Sequence, residues 1–329
     1  MTRFISGIFL AGMTIFCCGC QFFNTANTYT PEATYQKLFR EYPFISIADQ
    51  DVPASVIERK NITYVRYGIK KLQLDLYLPS SKSHKKRPAI MFVHGGGWRS
   101  GYRTNFTPFA IAVAERGYAA ATVSYRLSSE ALYPAAIHDV RAAIRWVRSN
   151  ADRYNIDGGK IAVAGGSAGG QIASLAGVTG NDDKFDPQGK SSHIPSSVQA
   201  IINIDGLSDF TSEAARFHED DPRKNPSAAA AWFGGRYAEK ADLWHEASPI
   251  FYVSENMPPI LFLISDQERF SIGYKEMTEK MKSSGVPYQV TRLPGTPHSF
   301  WLFDPWLQPS VAIVAQFLDQ LFKADADGA

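Results

Sequence analysis

The chain has 329 residues, of which 45% are apolar and 20% charged, and it contains 25 glycines and 19 prolines. This composition is typical of a globular protein and excludes a disordered or collagen-like chain. Lysine and arginine total 34 against 32 acidic residues, a net charge of +2, so nothing indicates a nucleic-acid partner. All three cysteines lie in the first 20 residues, so the main body has no disulfide, thiolate metal site or catalytic cysteine.

The first 20 residues have the pattern of a secretory signal. Arg3 supplies a positive start, and residues 4–16 form an apolar run that is too short for a comfortable membrane span. The run ends near Cys20 in a sequence that resembles a bacterial lipoprotein box, which implies a lipid on that cysteine. Ordinary cleavage and a retained anchor are the alternatives. We expect a signal at 1–20, a tether at 21–54, and a periplasmic location with membrane contact through the anchor only.

Short strand patterns alternate with helix patterns from about residue 60. The first two predicted strands, 62–68 and 72–78, alternate in polarity, as an antiparallel pair with one solvated face does. The later strands are near-continuous apolar runs, which are typical of a parallel sheet that is covered on both faces. These later strands are 88–94, 119–125, 160–164, 198–204, 258–264 and 288–293.

Apolar residues recur at helical spacing in 136–150 and 310–322. The alternation of strands and helices implies an α/β sandwich with right-handed crossovers. We therefore predict one α/β domain over 55–323, built on an eight-stranded, mostly parallel sheet with helices on both faces. The long stretch 205–257 is predicted to be an insertion over the carboxyl ends of the strands, where ligands bind in such folds.

A G-x-S-x-G motif places Ser167 directly after the predicted strand 160–164 and before a helix pattern. A nucleophilic serine needs a turn so sharp that its hydroxyl stands clear of the backbone, and small flanking residues allow that bend. A glycine-rich helix start that binds phosphate is the alternative, but the G-x-G-x-x-G order and the following lysine are both missing. The motif therefore indicates Ser167 as a nucleophile.

The sequence HGGGW at 94–98 ends the predicted strand 88–94. Consecutive glycines free their backbone N–H groups to point at one place, as a tetrahedral oxyanion requires. The three glycines are therefore predicted to supply donors, and the amide of Ala168, next to the nucleophile, to complete the set. His94 is predicted to be structural, because the general base is expected after the last strand.

The segment GTPHSF places His298 just beyond the last predicted strand, where a general base is expected. An acid should follow the strand 258–264, and Asp266 and Glu268 in that loop both qualify, since either carboxylate can orient an imidazolium. A solvated loop carboxylate is the alternative for each. No H-E-x-x-H or paired metal spacing occurs in the sequence, so we expect neither a metal nor a cofactor.

Four segments together resemble α/β-hydrolase esterases of the HGGG type, close to bacterial carbohydrate esterases that act on acetyl or feruloyl esters. The resemblance implies Ser167 as nucleophile and His298 as base. It also implies the amides of Gly96, Gly97 and Ala168 as the oxyanion donors. A departure occurs at the acid, because Ile264-Ser265 stands where such enzymes often carry His-Gly. We prefer Asp266, with Glu268 as the alternative. The segments are HGGGW, SYRLSSEALYPAAIHDVRAAIRWV, AGGSAGG and GTPHSF.

The sequence thus predicts a serine esterase that works through an acyl-enzyme and deacylates plant-polysaccharide fragments of the pectin or xylan type. The expected partner is a small-molecule or oligosaccharide ester. Trp98 and Tyr125 are candidate substrate-binding residues, with core packing and loop fixation as the alternatives. An amidase, peptidase or formamidase with the same triad, and a non-catalytic binding module on this scaffold, are the rival functions. The sequence leaves the oligomeric state open.

Overall fold

Eight strands form one sheet at the centre of the computed structural model, which describes residues 28–180, 182–186 and 193–323. Their order is β2-β3-β5-β4-β6-β7-β8-β9. β3 runs antiparallel to both of its neighbours, and all pairs from β5 to β9 are parallel. The strands are β1 (Ser46–Ile47), β2 (Val56–Tyr67), β3 (Lys70–Pro79), β4 (Arg87–Val93), β5 (Ala119–Val123), β6 (Ile156–Gly166), β7 (Ala200–Ile204), β8 (Ile260–Ile264), β9 (Tyr288–Arg292) and β10 (Phe303–Asp304).

The eight predicted strand segments coincide with β2 to β9, and the predicted mostly parallel sheet is confirmed. Every residue of β5, β7 and β8 is buried, as expected for apolar runs covered on both faces. β9 alternates between exposed and partly buried residues, because it forms the edge of the sheet. The pair β1 and β10 was not predicted, since two-residue strands leave no periodic pattern.

Helices cover both faces of the sheet. In β6, Ile161 and Val163 belong to one hydrophobic core while Ala162 and Ala164 belong to the other, which is the period of two of a strand. α3, α4 and α8 pack on the first face, and α2 and α9 on the second. The helices are α1 (Pro31–Leu38), α2 (Thr107–Glu115), α3 (Ala135–Ser149), α4 (Ala168–Val178), α5 (Glu213–Glu219), α6 (Ala228–Phe233), α7 (Tyr237–Glu246), α8 (Tyr274–Ser283) and α9 (Leu307–Phe322).

The segment before the sheet is folded onto the domain, so the prediction of a tether over 21–54 was wrong for residues 28–48. Thr30 caps α1 by accepting a hydrogen bond from the Ala33 amide at 3.1 Å. β1 pairs with β10, and Ile45 and Ala48 are only 4% and 2% exposed. The few apolar residues that dock this segment find their partners near residue 303, so no local pattern indicated the contact.

The predicted signal at 1–20 and the lipidation site Cys20 lie outside the described residues. Within the described part of the chain, no helix is long and apolar enough to cross a membrane.

Substitution of Ile45 by alanine tests the docking of the N-terminal segment. We expect Ile45→Ala to lower the free energy of unfolding by about 2–5 kcal/mol, because a buried isoleucine leaves a cavity. The matched control is Arg40→Ala in the same segment, whose exposed side chain should cost no more than about 0.5 kcal/mol. Urea denaturation measures both, and equal small changes would contradict docking.

Candidate active site

Ser167 occupies a sharp turn between β6, which ends at Gly166, and α4, which begins at Ala168. Its backbone has φ 57° and ψ −125°, a conformation that L-residues rarely adopt and that costs about 1–3 kcal/mol. Its amide donates a hydrogen bond to the Ile204 carbonyl at 2.8 Å, which ties the turn to the end of β7. The turn lifts the hydroxyl out of the sheet edge, as the G-x-S-x-G motif requires.

Glycines beside this turn are required by close backbone approaches. A Cβ atom on Gly165 would lie 2.2 Å from the Gly169 carbonyl oxygen, and one on Gly169 would lie 2.1 Å from the Val93 carbonyl oxygen. A Cβ atom on Gly95 would lie 2.8 Å from the Gly166 carbonyl oxygen. The turn, the start of α4 and the end of β4 are therefore in contact only because these positions carry no side chain.

His298 lies in the loop after β9 and joins Ser167 to a buried carboxylate. Its Nε2 lies 2.9 Å from Ser167 Oγ, and its Nδ1 lies 3.0 Å from Asp205 Oδ2. Because a carboxylate only accepts hydrogen bonds, Nδ1 carries the proton and donates to Asp205. Nε2 is then the acceptor for the Ser167 hydroxyl. This is the hydrogen-bonded chain of a serine nucleophile, a base and an orienting acid.

The acid beside His298 is Asp205, so the predicted acids Asp266 and Glu268 were wrong. Asp205 follows β7 directly and is 1% exposed. Asp266 is exposed, and its Oδ2 accepts a hydrogen bond from the Gly295 amide at 2.5 Å.

Glu268 accepts a hydrogen bond from Arg292 Nη2 at 2.9 Å, and its side chain is 62% exposed. The adjacent salt bridges to Arg292 and Lys275 lower the pKa of Glu268, which is the behaviour of a surface carboxylate held by cations. Glu268 therefore has its own partners at the protein surface.

Register explains why the acid follows β7. Gly166 pairs with Ile204, and Ile204 pairs with Leu263, so the residues after β6, β7 and β8 meet at one edge. After β8 this place is taken by Ser265, whose amide donates a hydrogen bond to Asp205 Oδ1 at 2.9 Å. The loop after β8 therefore does not carry the acid. It provides a backbone amide that donates a hydrogen bond to the acid. The sequence held a signal that we did not use: an aspartate directly after the predicted strand 198–204.

The glycine loop, which we define as residues 94–98, follows β4 and lies beside the nucleophile. Gly96 has φ +113°, and a Cβ atom there would lie 2.2 Å from the Ser100 carbonyl oxygen. Gly96, Gly97 and Ala168 line the same cavity as Ser167. The Ala168 amide is the first of α4, and amides in the first turn of a helix have no partner within the helix. The three predicted donors therefore line the cavity that contains the serine hydroxyl.

Tyr125 is not a substrate-binding residue in this structure. Its side chain is 3% exposed, its hydroxyl donates to the His94 carbonyl oxygen at 2.9 Å, and its ring stacks on the His94 ring at 4.4 Å. The His94 Nδ1 lies 2.8 Å from the Gly95 carbonyl oxygen, and burial lowers the pKa of His94 to about 4. A neutral His94 and Tyr125 therefore hold the start of the glycine loop, so the alternative of loop fixation holds for Tyr125.

Trp98 reaches the cavity wall but belongs mainly to the core. It is 3% exposed, its Nε1 donates to Gln171 Oε1 at 3.0 Å, and its ring stacks on Trp232 at 5.1 Å. Trp244 and Trp301 are equally buried, and Trp306 packs against the rings of Tyr42 and Phe44. The alternative of core packing therefore describes these tryptophans better than stacking on sugar rings.

A cavity of about 450 Å³ lies over Ser167 and His298, and four other parts of the chain line it, one of which is the loop with Arg269 and Phe270. The insertion 205–257 supplies one wall, and the glycine loop supplies another. The third wall comes from the N-terminal segment, where the Tyr29 hydroxyl lies 3.1 Å from Ser299 Oγ, next to His298. Burial raises the pKa of Tyr29, so its hydroxyl stays protonated. Sequence reasoning missed Tyr29, because its partner is 270 residues away.

The pKa of His298 is lowered from its ordinary value of 6.5. Burial is the main cause, and the positive charge of Arg269 lowers it further, while the bond to Asp205 acts in the opposite direction. The ring is covered by Phe270, which stacks on it at a centroid distance of 3.4 Å. His298 is therefore neutral, and able to accept a proton, at neutral pH.

No group of three or more histidine, cysteine, aspartate or glutamate side chains within the described residues is arranged to hold a metal ion.

Comparison with known proteins finds esterases. The family model BD-FAE matches residues 74–275, a span that contains Ser167 and Asp205 and ends before His298. Esterase LipC of Mycobacterium tuberculosis is 32% identical over 278 residues, which is 80% of this chain and 66% of that protein. The probable carboxylic ester hydrolase LipM of the same organism is 28% identical over 276 residues, covering 82% and 62%. The match thus spans less than two thirds of the length of these relatives.

Solved structures with the same fold are also esterases. A truncated form of a carbohydrate esterase from gut microbiota has a TM-score of 0.68 and 23% identity, and the match covers 84% of this chain and 99% of that one. Thermogutta terrifontis esterase 2, phosphonylated by sarin, has a TM-score of 0.69 and 24% identity, covering 83% and 96%. These likenesses show the fold of the chain.

The protonation of His298 can be measured directly. We expect NMR titration of its ring protons, assigned by comparison with His298→Gln, to give a pKa below 6.5. In Arg269→Gln the pKa should rise, because the nearby positive charge that disfavours the imidazolium is gone. Arg153→Gln removes an exposed arginine near the opposite end of β6 and should leave the titration unchanged. A His298 pKa at or above 6.5 would contradict this electrostatic description.

Proposed function

We infer that this chain, which belongs to the BD-FAE family of α/β-hydrolases, is a serine esterase that works through an acyl-enzyme. The observation that carries this inference is the chain of contacts from Ser167 Oγ through His298 to Asp205, at 2.9 and 3.0 Å. Relatives named as esterases support the same reaction class.

The first half-reaction forms the acyl-enzyme. Nε2 of His298 takes the Ser167 proton while Oγ attacks the ester carbonyl carbon. The Asp205 carboxylate, which the Ser265 amide and His298 both contact, stabilises the imidazolium that results. His298 then gives the proton to the leaving alcohol oxygen, and the C–O bond of the ester breaks.

The negative charge that develops on the carbonyl oxygen is placed next to backbone amides. Gly96, Gly97 and Ala168 line the cavity around Ser167, and such preorganised donors are worth roughly 3–4 kcal/mol each. In the second half-reaction His298 takes a proton from water while the water oxygen attacks the acyl carbon. The bond between that carbon and Ser167 Oγ then breaks, His298 returns the proton to Oγ, and the acid is released.

The substrate in this proposal is an acylated plant-polysaccharide fragment of the pectin or xylan type. A second cavity of about 560 Å³ adjoins the first and shares the glycine loop with it. Its wall carries the hydroxyl-bearing residues Ser100, Ser128 and Ser129, whose side chains suit the hydroxyl groups of a sugar better than an alkyl chain. Two adjoining cavities suit an extended substrate. Structural neighbours named as carbohydrate esterases support this choice.

Export and attachment of a lipid to Cys20 complete the proposal. They rest on the apolar run and the cysteine-containing sequence of residues 1–20. A location on the periplasmic side of the envelope suits an enzyme that acts on imported oligosaccharides.

The identity of the acid gives a sharp test of the site. Asp205→Asn should lower kcat for a short-chain aryl ester by about 10⁴-fold, because His298 loses the carboxylate that fixes its tautomer. The matched control Asp266→Asn should lower kcat by no more than about twofold, since Asp266 contacts the Gly295 amide at the surface. A large loss in Asp266→Asn with full activity in Asp205→Asn would contradict the assignment of the acid.

Covalent labelling tests the nucleophile without a choice of substrate. A fluorophosphonate should label the protein at Ser167, and Ser167→Ala should abolish both the label and ester hydrolysis. A protein that resists labelling would fit the rival hypothesis of a binding module.

Substrate turnover separates an esterase from an amidase or peptidase. We expect release of acetate or ferulate from pectin and xylan fragments without hydrolysis of aryl amides.

A further inference from the structure

Four positively charged side chains surround the cavity over Ser167, although the whole chain has a net charge of only +2. Two carboxylates line the same cavity, and one of them, Asp205, is already bonded to His298 and the Ser265 amide. The other is Glu219. The positive side chains are Lys37, Arg99, Lys224 and Arg269.

The charges of three of these cations are not neutralised by ion pairs. Within residues 28–180, 182–186 and 193–323, no salt bridge joins Lys37, Arg99 or Arg269 to a carboxylate. Lys224 lies 3.9 Å from Asp221, but that carboxylate is held more closely by Arg223 Nε at 2.9 Å. A cleft with an excess of one sign of charge concentrates ligands of the opposite sign.

Arg269 has a defined place relative to the reacting groups. Its guanidinium lies over the Phe270 ring at 4.0 Å, and the same ring stacks on His298 at 3.4 Å. Since His298 occupies one face of the Phe270 ring, Arg269 lies over the other face. Lys224 and Glu219 line the same cavity as Arg269. Burial raises the pKa of Glu219, and the charges of Arg269 and Lys224 act in the opposite direction.

The side of the cavity that these cations occupy identifies the part of the substrate that they contact. In the proposed reaction His298 gives its proton to the leaving alcohol oxygen, so the alcohol must lie beside the imidazole. Arg269 lies on the far side of the Phe270 ring from His298 and lines the same cavity, so it faces a part of the alcohol that extends beyond that ring. The guanidinium presents paired N–H donors in a geometry that matches a carboxylate.

We propose that the alcohol portion of the substrate carries a carboxylate, which Arg269 binds with Lys224, so that the enzyme prefers esters of acidic alcohols such as acylated uronic acids. This inference rests on the proposed esterase function and selects the acidic members of its substrate class. The preference concerns the alcohol portion and not the acyl group.

The test compares two acetate esters of similar shape, one with a charged leaving group and one with a neutral leaving group, each relative to its own hydrolysis rate in buffer. 4-Acetoxybenzoate carries a carboxylate on the leaving group, and 4-acetoxybenzamide is its neutral counterpart. We expect the wild-type protein to have a higher kcat/KM for the benzoate, and raising the salt concentration should reduce the preference because exposed charges are screened. Arg269→Gln should lower the ratio of the two kcat/KM values by about fivefold, and Lys224→Gln should lower it less.

The ratio is the readout because Arg269 also lowers the pKa of His298, so its removal changes the rate with both esters. The matched control is Arg153→Gln. Arg153 is another exposed arginine, over the ring of the next residue, Tyr154, at 5.4 Å, and it lies near the amino end of β6, away from Ser167. Its removal should leave the ratio unchanged.

The possible failures are distinguishable. Equal kcat/KM for the two esters in the wild-type protein, or a ratio that Arg269→Gln and Lys224→Gln leave unchanged, overturns the charge preference while the esterase function stands. If neither ester is hydrolysed, the proposed function itself fails and the preference fails with it. Acetylated galacturonate and acetylated galactose repeat the comparison with sugar alcohols, and the same preference for the acidic ester is expected.

Discussion

The site depends on the backbone pairing that continues one residue past the ends of three parallel strands. The Ser167 amide bonds to the Ile204 carbonyl at 2.8 Å, and the Asp205 amide bonds to the Leu263 carbonyl at 3.0 Å. These two bonds place the nucleophile, the acid and the Ser265 amide side by side. His298 then bridges Ser167 and Asp205 from the loop after β9.

The second requirement at this edge of the sheet is that several positions carry no side chain. The glycine loop, the nucleophile turn and the start of α4 approach so closely that a Cβ on Gly95, Gly165 or Gly169 would overlap backbone atoms. The loop amides reach the neighbourhood of Ser167 because of this approach. The buried side chains of His94 and Tyr125 contact each other at the start of the same loop, so both polar residues have structural roles.

Parts of the chain far from the sheet edge decide what the cavity can accept. The N-terminal segment contributes Tyr29 to the cavity wall, and the insertion contributes Lys224. Arg269 also lines the cavity, with its guanidinium over the Phe270 ring. In the proposed reaction Ser167, His298 and Asp205 cleave the ester, and the proposed preference for acidic alcohols depends on the charge of these walls. The same Arg269 charge lowers the pKa of His298, so substrate preference and base strength are coupled.

The sequence alone determined the eight strands and the mostly parallel sheet, because strand periodicity is a local pattern. It also singled out Ser167 as the candidate nucleophile and His298 as the candidate base, because the motifs around both residues are local. It did not determine the acid, since Asp205, Asp266 and Glu268 all follow buried strands and only the pairing of β7 with β6 and β8 decides which carboxylate meets His298. The roles of Tyr125 and residues 28–48 likewise depended on contacts between distant parts of the chain. Tertiary structure decided these points, because hydrogen bonding across strands joins residues that no local pattern relates.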